Sequence, residues 1–327
     1  LDKLLKQFLK YQIEHDKYNF KYIPITHQSG IIEYLIDIVR GEGDIVYKKE
    51  DDYTAIISRL DSLPEIIDSI IDLFNKGIQL KYTLPKIIIK KMIQNYKKYL
   101  EDESVFANKG NPLFSKKVRS IMVPLIGKLI IYLKNIYMEH GRDSIGHSEL
   151  PNGIKEYKFL VTSNYGQKLS FGQIEKMGYA GLKKLKNKKH RLTKFKNKKE
   201  IEAYVKTMFE EIKTEIEPLF PKKYKKFMNI KMEITDRDIG TQAFYVPTTR
   251  TFYISANHVP YKEEMKVLLA HEVLPGHNLQ LSITYDTFKT KRDKIRRIIE
   301  QDWFCEGWAT YAEDLITYNE NDQKGKN

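Results

Sequence analysis

His271-Glu272-Val273-Leu274-Pro275-Gly276-His277, with Glu306-Gly307-Trp308-Ala309 further along the chain, is the stretch whose reading decides the fold. Two imidazoles and a carboxylate make a ligand set for zinc with a fourth position open to water. The glutamate beside the first histidine is a candidate acceptor for that water's proton. Zinc peptidases commonly space the two histidines four residues apart, on one helix face. Here the second lies six on. Six residues of regular helix turn through about 600°, which leaves His277 about 120° off the face of His271. Pro275 and Gly276 predict one of two outcomes. Either the turn widens locally and returns His277 to the site, or the helix ends there and the histidines are incidental.

Working outward, Val267 to Ala270 lead into His271 on a helix that opens near Pro260, with Glu263 and Glu264 in its first turn. Before it, Gln242 to Val246 and Thr251 to Ser255 are aromatic and β-branched runs separated by Pro247-Thr248-Thr249-Arg250, a hairpin pattern. Ile230 to Ile234 alternates as a strand does. After the motif, Trp303, Trp308, Ala309, Ala312 and Leu315 predict a largely buried helix. Asp302, Glu306, Thr310 and Glu313 recur on it at steps of three and four, one polar stripe on one face. Carboxylates on such a helix are costly unless paired or metal-bound; the alternative is that the stripe faces solvent beside lysine and arginine side chains. Asp302 and Glu313 are placed to hydrogen-bond the ligand imidazoles as supporting partners.

The first 221 residues read as helical. Leu4, Leu5, Phe8, Leu9 and Ile13 mark one face; Ile66, Ile67, Ile70 and Phe74 another, between Pro64 and a stop at Gly77; Pro85 opens a third helix. Ser115 to Tyr137 forms a long helix in which Pro124 predicts a kink or a boundary. Ser170 and Gln173 form a capping-box pair. Lys183 to Lys199 has no acidic residue; it reads as an anion-binding patch or, with better odds, as a solvated linker.

Bulk properties narrow the classes. With 41% hydrophobic residues, the chain of 327 residues has enough to bury a core. The net charge of +13 tracks abundant lysine throughout, so no specific nucleic-acid partner is expected. Cys305 is the single cysteine, which rules out an intramolecular disulfide and favours an intracellular, cytoplasmic setting. The chain begins at Leu1, so a preceding targeting segment is outside the reading. Ile121 to Leu133 is too short to span a bilayer and reads as core, and no membrane partner is expected.

The paired motifs His271 to Gln280 and Glu306 to Glu313 resemble those of the family catalogued as domain of unknown function 885, His-Glu-x-x-Pro-Gly-His-His-Leu-Gln and Glu-Gly-Trp-Ala-x-Tyr-Ala-Glu. Tyr22-Ile23-Pro24-Ile25 and Leu150-Pro151-Asn152-Gly153 match it too. The resemblance implies a mainly α, zincin-like helical metallopeptidase fold with a small β-hairpin or sheet before the motif helix. It implies residues 1–221 as a helical region on one side of a cleft, and residues 222–327 as a zinc-binding core. It also implies a Zn2+ cofactor held by His271, His277 and Glu306, with Glu272 as general base and a peptide as substrate. Asn278 stands where the family carries a second consecutive histidine, so a change in the supporting partners is expected there. Family members continue beyond this chain's last residue. The expectation is therefore a missing C-terminal part, with a fragment, a separately encoded C-terminal half, or an inactive remnant as the alternatives to a working peptidase.

Overall fold

A computed structural model describes residues 2–41, 47–108, 110–164, 169–185, 192–235, 241–247, 249–287, 290 and 302–324. The architecture is mainly α with one three-stranded sheet, as the sequence predicts. The chain divides into two compact units. One is Lys6–Phe159; the other is Leu160–Asn327 together with Leu1–Leu5. Sequence texture puts the division at 221, but α10 (Lys198–Ile216) lies in the same hydrophobic core as the motif helix.

After α1 (Asp2–His15), the Lys6–Phe159 unit is built from α2 (Ile31–Arg40), α3 (Glu50–Leu60), α4 (Leu63–Gln79), α5 (Lys86–Glu101) and α6 (Pro112–Tyr132). A π turn over Leu133–Tyr137 continues α6 into α7 (Met138–His140), and α8 (Gly153–Asn164) follows. Asn111 caps α6, its Oδ1 accepting the Phe114 N–H at 2.9 Å. No boundary falls at Pro124: α6 runs through it. A proline inside a helix costs about 3 kcal/mol. Val118, Met122, Ile126 and Leu129 are fully buried on the same helix, each contributing about 1.5–3 kcal/mol, so packing wins. From Pro112 to His140 this helix is long and apolar enough to cross a membrane, longer than the apolar run alone suggests; its buried face joins the unit's core. Gly77 does not stop α4, which runs to Gln79. It is needed for close approach: a Cβ there would lie 2.7 Å from the Tyr82 carbonyl oxygen.

In the second unit, Ser170 and Gln173 form the expected box, with the Ser170 N–H donating to Gln173 Oε1 at 2.8 Å, and open α9 (Phe171–Leu185). Residues 186–191 of the basic tract lie outside the described residues. The sheet holds β1 (Lys231–Thr235), β2 (Ala243–Val246) and β3 (Thr251–Ser255) in the order β1-β3-β2. β2 and β3 form the expected antiparallel hairpin, and β1 runs parallel to β3. β3, central and flanked on both edges, is buried along its whole length. The motif occupies α11 (Lys262–Glu272) and α12 (His277–Thr287), and α13 (Asp302–Lys324) packs along α11. Core residues of α10, β3, α11 and α12 and Ile316 of α13 make one cluster, which fixes the helix ends that carry the histidines.

Candidate metal centre

The helix entering the site is held at its start by Glu264, whose Oε2 accepts the Tyr261 N–H at 3.0 Å. It ends at Glu272. The break that follows is wider than a helical turn: Leu274 N–H bonds the Leu269 carbonyl at 3.0 Å, and Gly276 N–H bonds the Ala270 carbonyl at 2.9 Å. The two alternatives foreseen for Pro275-Gly276 turn out not to exclude each other: the helix does end, yet the histidines are brought together. The turn widens and the helix stops, and His277 becomes the first residue of a new helix. Gly276 is required here by space. A Cβ on it would sit 1.7 Å from the His271 carbonyl oxygen, so no other residue fits the backbone as it stands.

This break turns His277 back toward His271. Their rings meet edge to face, with centroids 4.8 Å apart. Glu306 reaches both from α13: Oε2 lies 3.4 Å from His271 Nε2, and Oε1 lies 3.7 Å from His277 Nε2. One ligand atom from each of the three residues lies within 4.8 Å of the others. Zinc bonds of about 2.0–2.1 Å in a tetrahedron would put ligand atoms about 3.4 Å apart, and the two Glu306 contacts, at 3.4 and 3.7 Å, lie near that spacing. Glu313 Oε1 lies 2.7 Å from His271 Nδ1. An ionised carboxylate can only accept here, so the contact favours the Nδ1–H tautomer, in which the Nε2 lone pair is free. Burial keeps His277 below the usual histidine range, favouring the neutral imidazole that a metal needs. Burial, with some help from the Glu306 charge and against His271, pushes Glu272 up to about 7. A cavity of about 470 Å³ opens onto His271, Glu272 and Glu313.

The supporting residues sort differently from the expectation. Glu313 contacts the His271 ring. The Asp302 side chain lies outside the described residues. Asn278 is fully buried but turns from the imidazoles, its Nδ2 donating to the Phe227 carbonyl at 3.0 Å. His258 sits exposed in the turn after β3 and is not among the grouped ligands. The helix carrying Glu306 is less buried than its aromatics suggest. Ala309, Ala312 and Ile316 are buried, whereas Trp303, Phe304 and Tyr311 are exposed. Small alanines let α13 lie close to α11, and the aromatics fall on the outer side. One contact had no sequence signal at all: Trp308 Nε1 donates to the Pro275 carbonyl at 2.8 Å, tying α13 to the break itself.

No curated protein matches the sequence. Among solved structures, the fold is similar to that of a "putative lipoprotein from Colwellia psychrerythraea", with a TM-score of 0.75 and 15% identity. The match covers 90% of this chain and 59% of that one, so the chain spans about three-fifths of its structural neighbour's length. At that identity the likeness speaks for the fold alone. The sequence profile described as "Bacterial protein of unknown function (DUF885)" matches residues 2–223 and 195–318, nearly the whole chain, and the chain belongs to the DUF885 family.

Proposed function

We propose that this protein is a zinc-dependent peptidase that hydrolyses peptide bonds with Glu272 as general base. The observation that carries the reading is the convergence of His271 Nε2, His277 Nε2 and a Glu306 oxygen, from three separate helices, beside an unligated Glu272. Zinc held by those three residues would activate a water and polarise a substrate carbonyl. Glu272 takes the water's proton and passes it to the leaving amine. Glu313 fixes the His271 ring so that Nε2 faces inward. β2 is an edge strand with Gln242 on the cavity wall just before it; the Thr241 hydroxyl engages the Ala243 N–H and carbonyl, so an extended peptide would pair with the strand beyond Ala243.

The test is elemental analysis of the purified chain followed by digestion of a mixed peptide pool. One zinc per chain and cleavage that Glu272→Gln abolishes, with zinc retained, are expected. A chain with no stoichiometric zinc overturns the reading. A second reading is a metal-binding relative without turnover, or one partner of a separately encoded C-terminal half. It is favoured by the exposed Trp303, Phe304 and Tyr311 face. Zinc binding with wild type and Glu272→Gln equally inert is its signature.

A further inference from the structure

The two candidate ligand histidines are supported unequally. His271 has the Glu313 carboxylate at its Nδ1, 2.7 Å away. His277 has Nε2 toward Glu306, at 3.7 Å, which leaves Nδ1 as its outer nitrogen. An imidazole that gives Nε2 to a metal carries its proton on Nδ1, and that proton needs an acceptor. Glu313 is engaged by His271. The adjacent Asn278 is turned away, its Nδ2 donating to the Phe227 carbonyl.

Gln280 is in position instead. It lies three residues after His277 on α12, a spacing that makes the two side chains neighbours on one helix face. The backbone there is regular: the Gln280 N–H bonds the Gly276 carbonyl at 3.0 Å, and the Gln280 carbonyl accepts the Thr284 hydroxyl at 2.9 Å. Gln280 is 8% exposed, and neither end of its amide closes a hydrogen bond among the described residues. A buried amide of that kind is unfavourable unless it has a specific neighbour to serve. Its neighbour is the His277 ring. Burial keeps that ring low, while Glu306 and, more weakly, the Gln280 side chain act in the opposite direction, as an acceptor beside a ring N–H does. The last torsion of a glutamine is soft, so completing the bond asks little of the side chain.

We propose that Gln280 is the positioning residue of His277, its Oε1 accepting the Nδ1 proton and so holding Nε2 toward Glu306 and the centre. The two imidazoles then have one anionic support, Glu313, and one neutral support, Gln280. The inference rests on the proposed zinc site and on no step of peptide cleavage.

Gln280→Met keeps nearly the same shape and removes the acceptor; Gln280→Glu keeps the shape and strengthens it. Zinc affinity is measured for the parent and both variants by competition with a chromophoric chelator, and thermal unfolding is followed on the same proteins stripped of zinc. Gln280→Met is expected to weaken zinc by about tenfold, while the stripped protein unfolds no earlier than its parent, because apolar atoms have replaced a buried amide. Gln280→Glu is expected to bind zinc at least as tightly as the parent. Proton–nitrogen NMR of the zinc-loaded parent is expected to show a slowly exchanging His277 Nδ1–H signal that Gln280→Met loses. Equal zinc affinity in the parent and Gln280→Met overturns the assignment and leaves the zinc site standing. So does a loss in Gln280→Met that comes with earlier unfolding of the stripped protein and that Gln280→Glu does not recover. A parent that binds no zinc overturns the assignment and the zinc site together. Zinc binding that depends on Gln280, in a protein that cleaves no peptide, sinks the peptidase reading and leaves the assignment standing.

Discussion

Each unit of the molecule gathers histidine and glutamate side chains, one buried around Glu156 and one open to solvent at Glu306, and the two arrangements are opposites. In the Lys6–Phe159 unit, Glu156 is 1% exposed. It accepts the Tyr82 hydroxyl at 2.8 Å and the Asn19 N–H at 3.4 Å, with His147 Nε2 at 3.1 Å. Donors converge on one carboxylate, and the cluster is closed. In the other unit, His271 Nε2, His277 Nε2 and the exposed Glu306 carboxylate converge, three acceptors when both rings carry their proton on Nδ1. Acceptors facing acceptors are unfavourable unless a cation joins them. The lesson is that donor–acceptor balance, more than the presence of histidine and glutamate, separates a structural polar cluster from a metal site. Glu33 shows a third arrangement. Its carboxylate oxygens are sealed from water with no hydrogen-bond partner beyond its own backbone, and burial raises it to about 7, so it carries a proton instead.

The comparison breaks most severely at Gly276. Gly276→Ala is expected to push His271 and Ala270 out of place and to cost at least about 3 kcal/mol with loss of zinc, read by thermal unfolding and metal content. In the closed cluster, Glu156→Ala strands buried donors and should cost about 3 kcal/mol by denaturant unfolding, while zinc stays at one per chain. Equal zinc loss from that variant would erase the distinction drawn above. Glu33 gives a pH effect of definite sign. Its folded pKa lies above the unfolded value near 4.5, so its stabilising contribution is full below about pH 4.5 and is lost as pH rises through about 7. The loss is about 2–3 kcal/mol, and Glu33→Gln should flatten the stability profile over that window. The smallest change is Glu313→Gln, expected to weaken zinc by about 10–100-fold in competition with a chelator, with folding intact.

Much of the site could be read in the chain because it lies in short stretches with chemical signatures. His271, Glu272 and His277 declare themselves by type, Pro275-Gly276 by backbone restriction, and Glu306 with Glu313 by a seven-residue step that returns to the same helix face. The β2–β3 hairpin is similarly local. What escaped the sequence is set by tertiary partners. Asn278 sits next to a ligand histidine, so it reads as a helper of the site, but the carbonyl it bonds belongs to Phe227, 51 residues away. Gly77 reads as a stop because nothing in its neighbourhood announces that the Tyr22 carbonyl, 55 residues away, will lie 3.1 Å from where its Cβ would be. The aromatics of α13 read as core because hydrophobicity says nothing about which side of a helix the small residues will win. The pairings of Lys262 with Glu200 and of Lys266 with Glu215 needed the fold, since both partners lie on α10.

The bond from Trp308 to Pro275 has a practical consequence. The chain has two tryptophans, and the other, Trp303, is largely exposed on the outer side of the same helix. With Trp303→Phe, the remaining indole is a built-in optical probe whose emission responds to the hydrogen bond at its nitrogen. Titrating zinc into that protein would follow the loop between the two histidines in real time, with no label and no substrate.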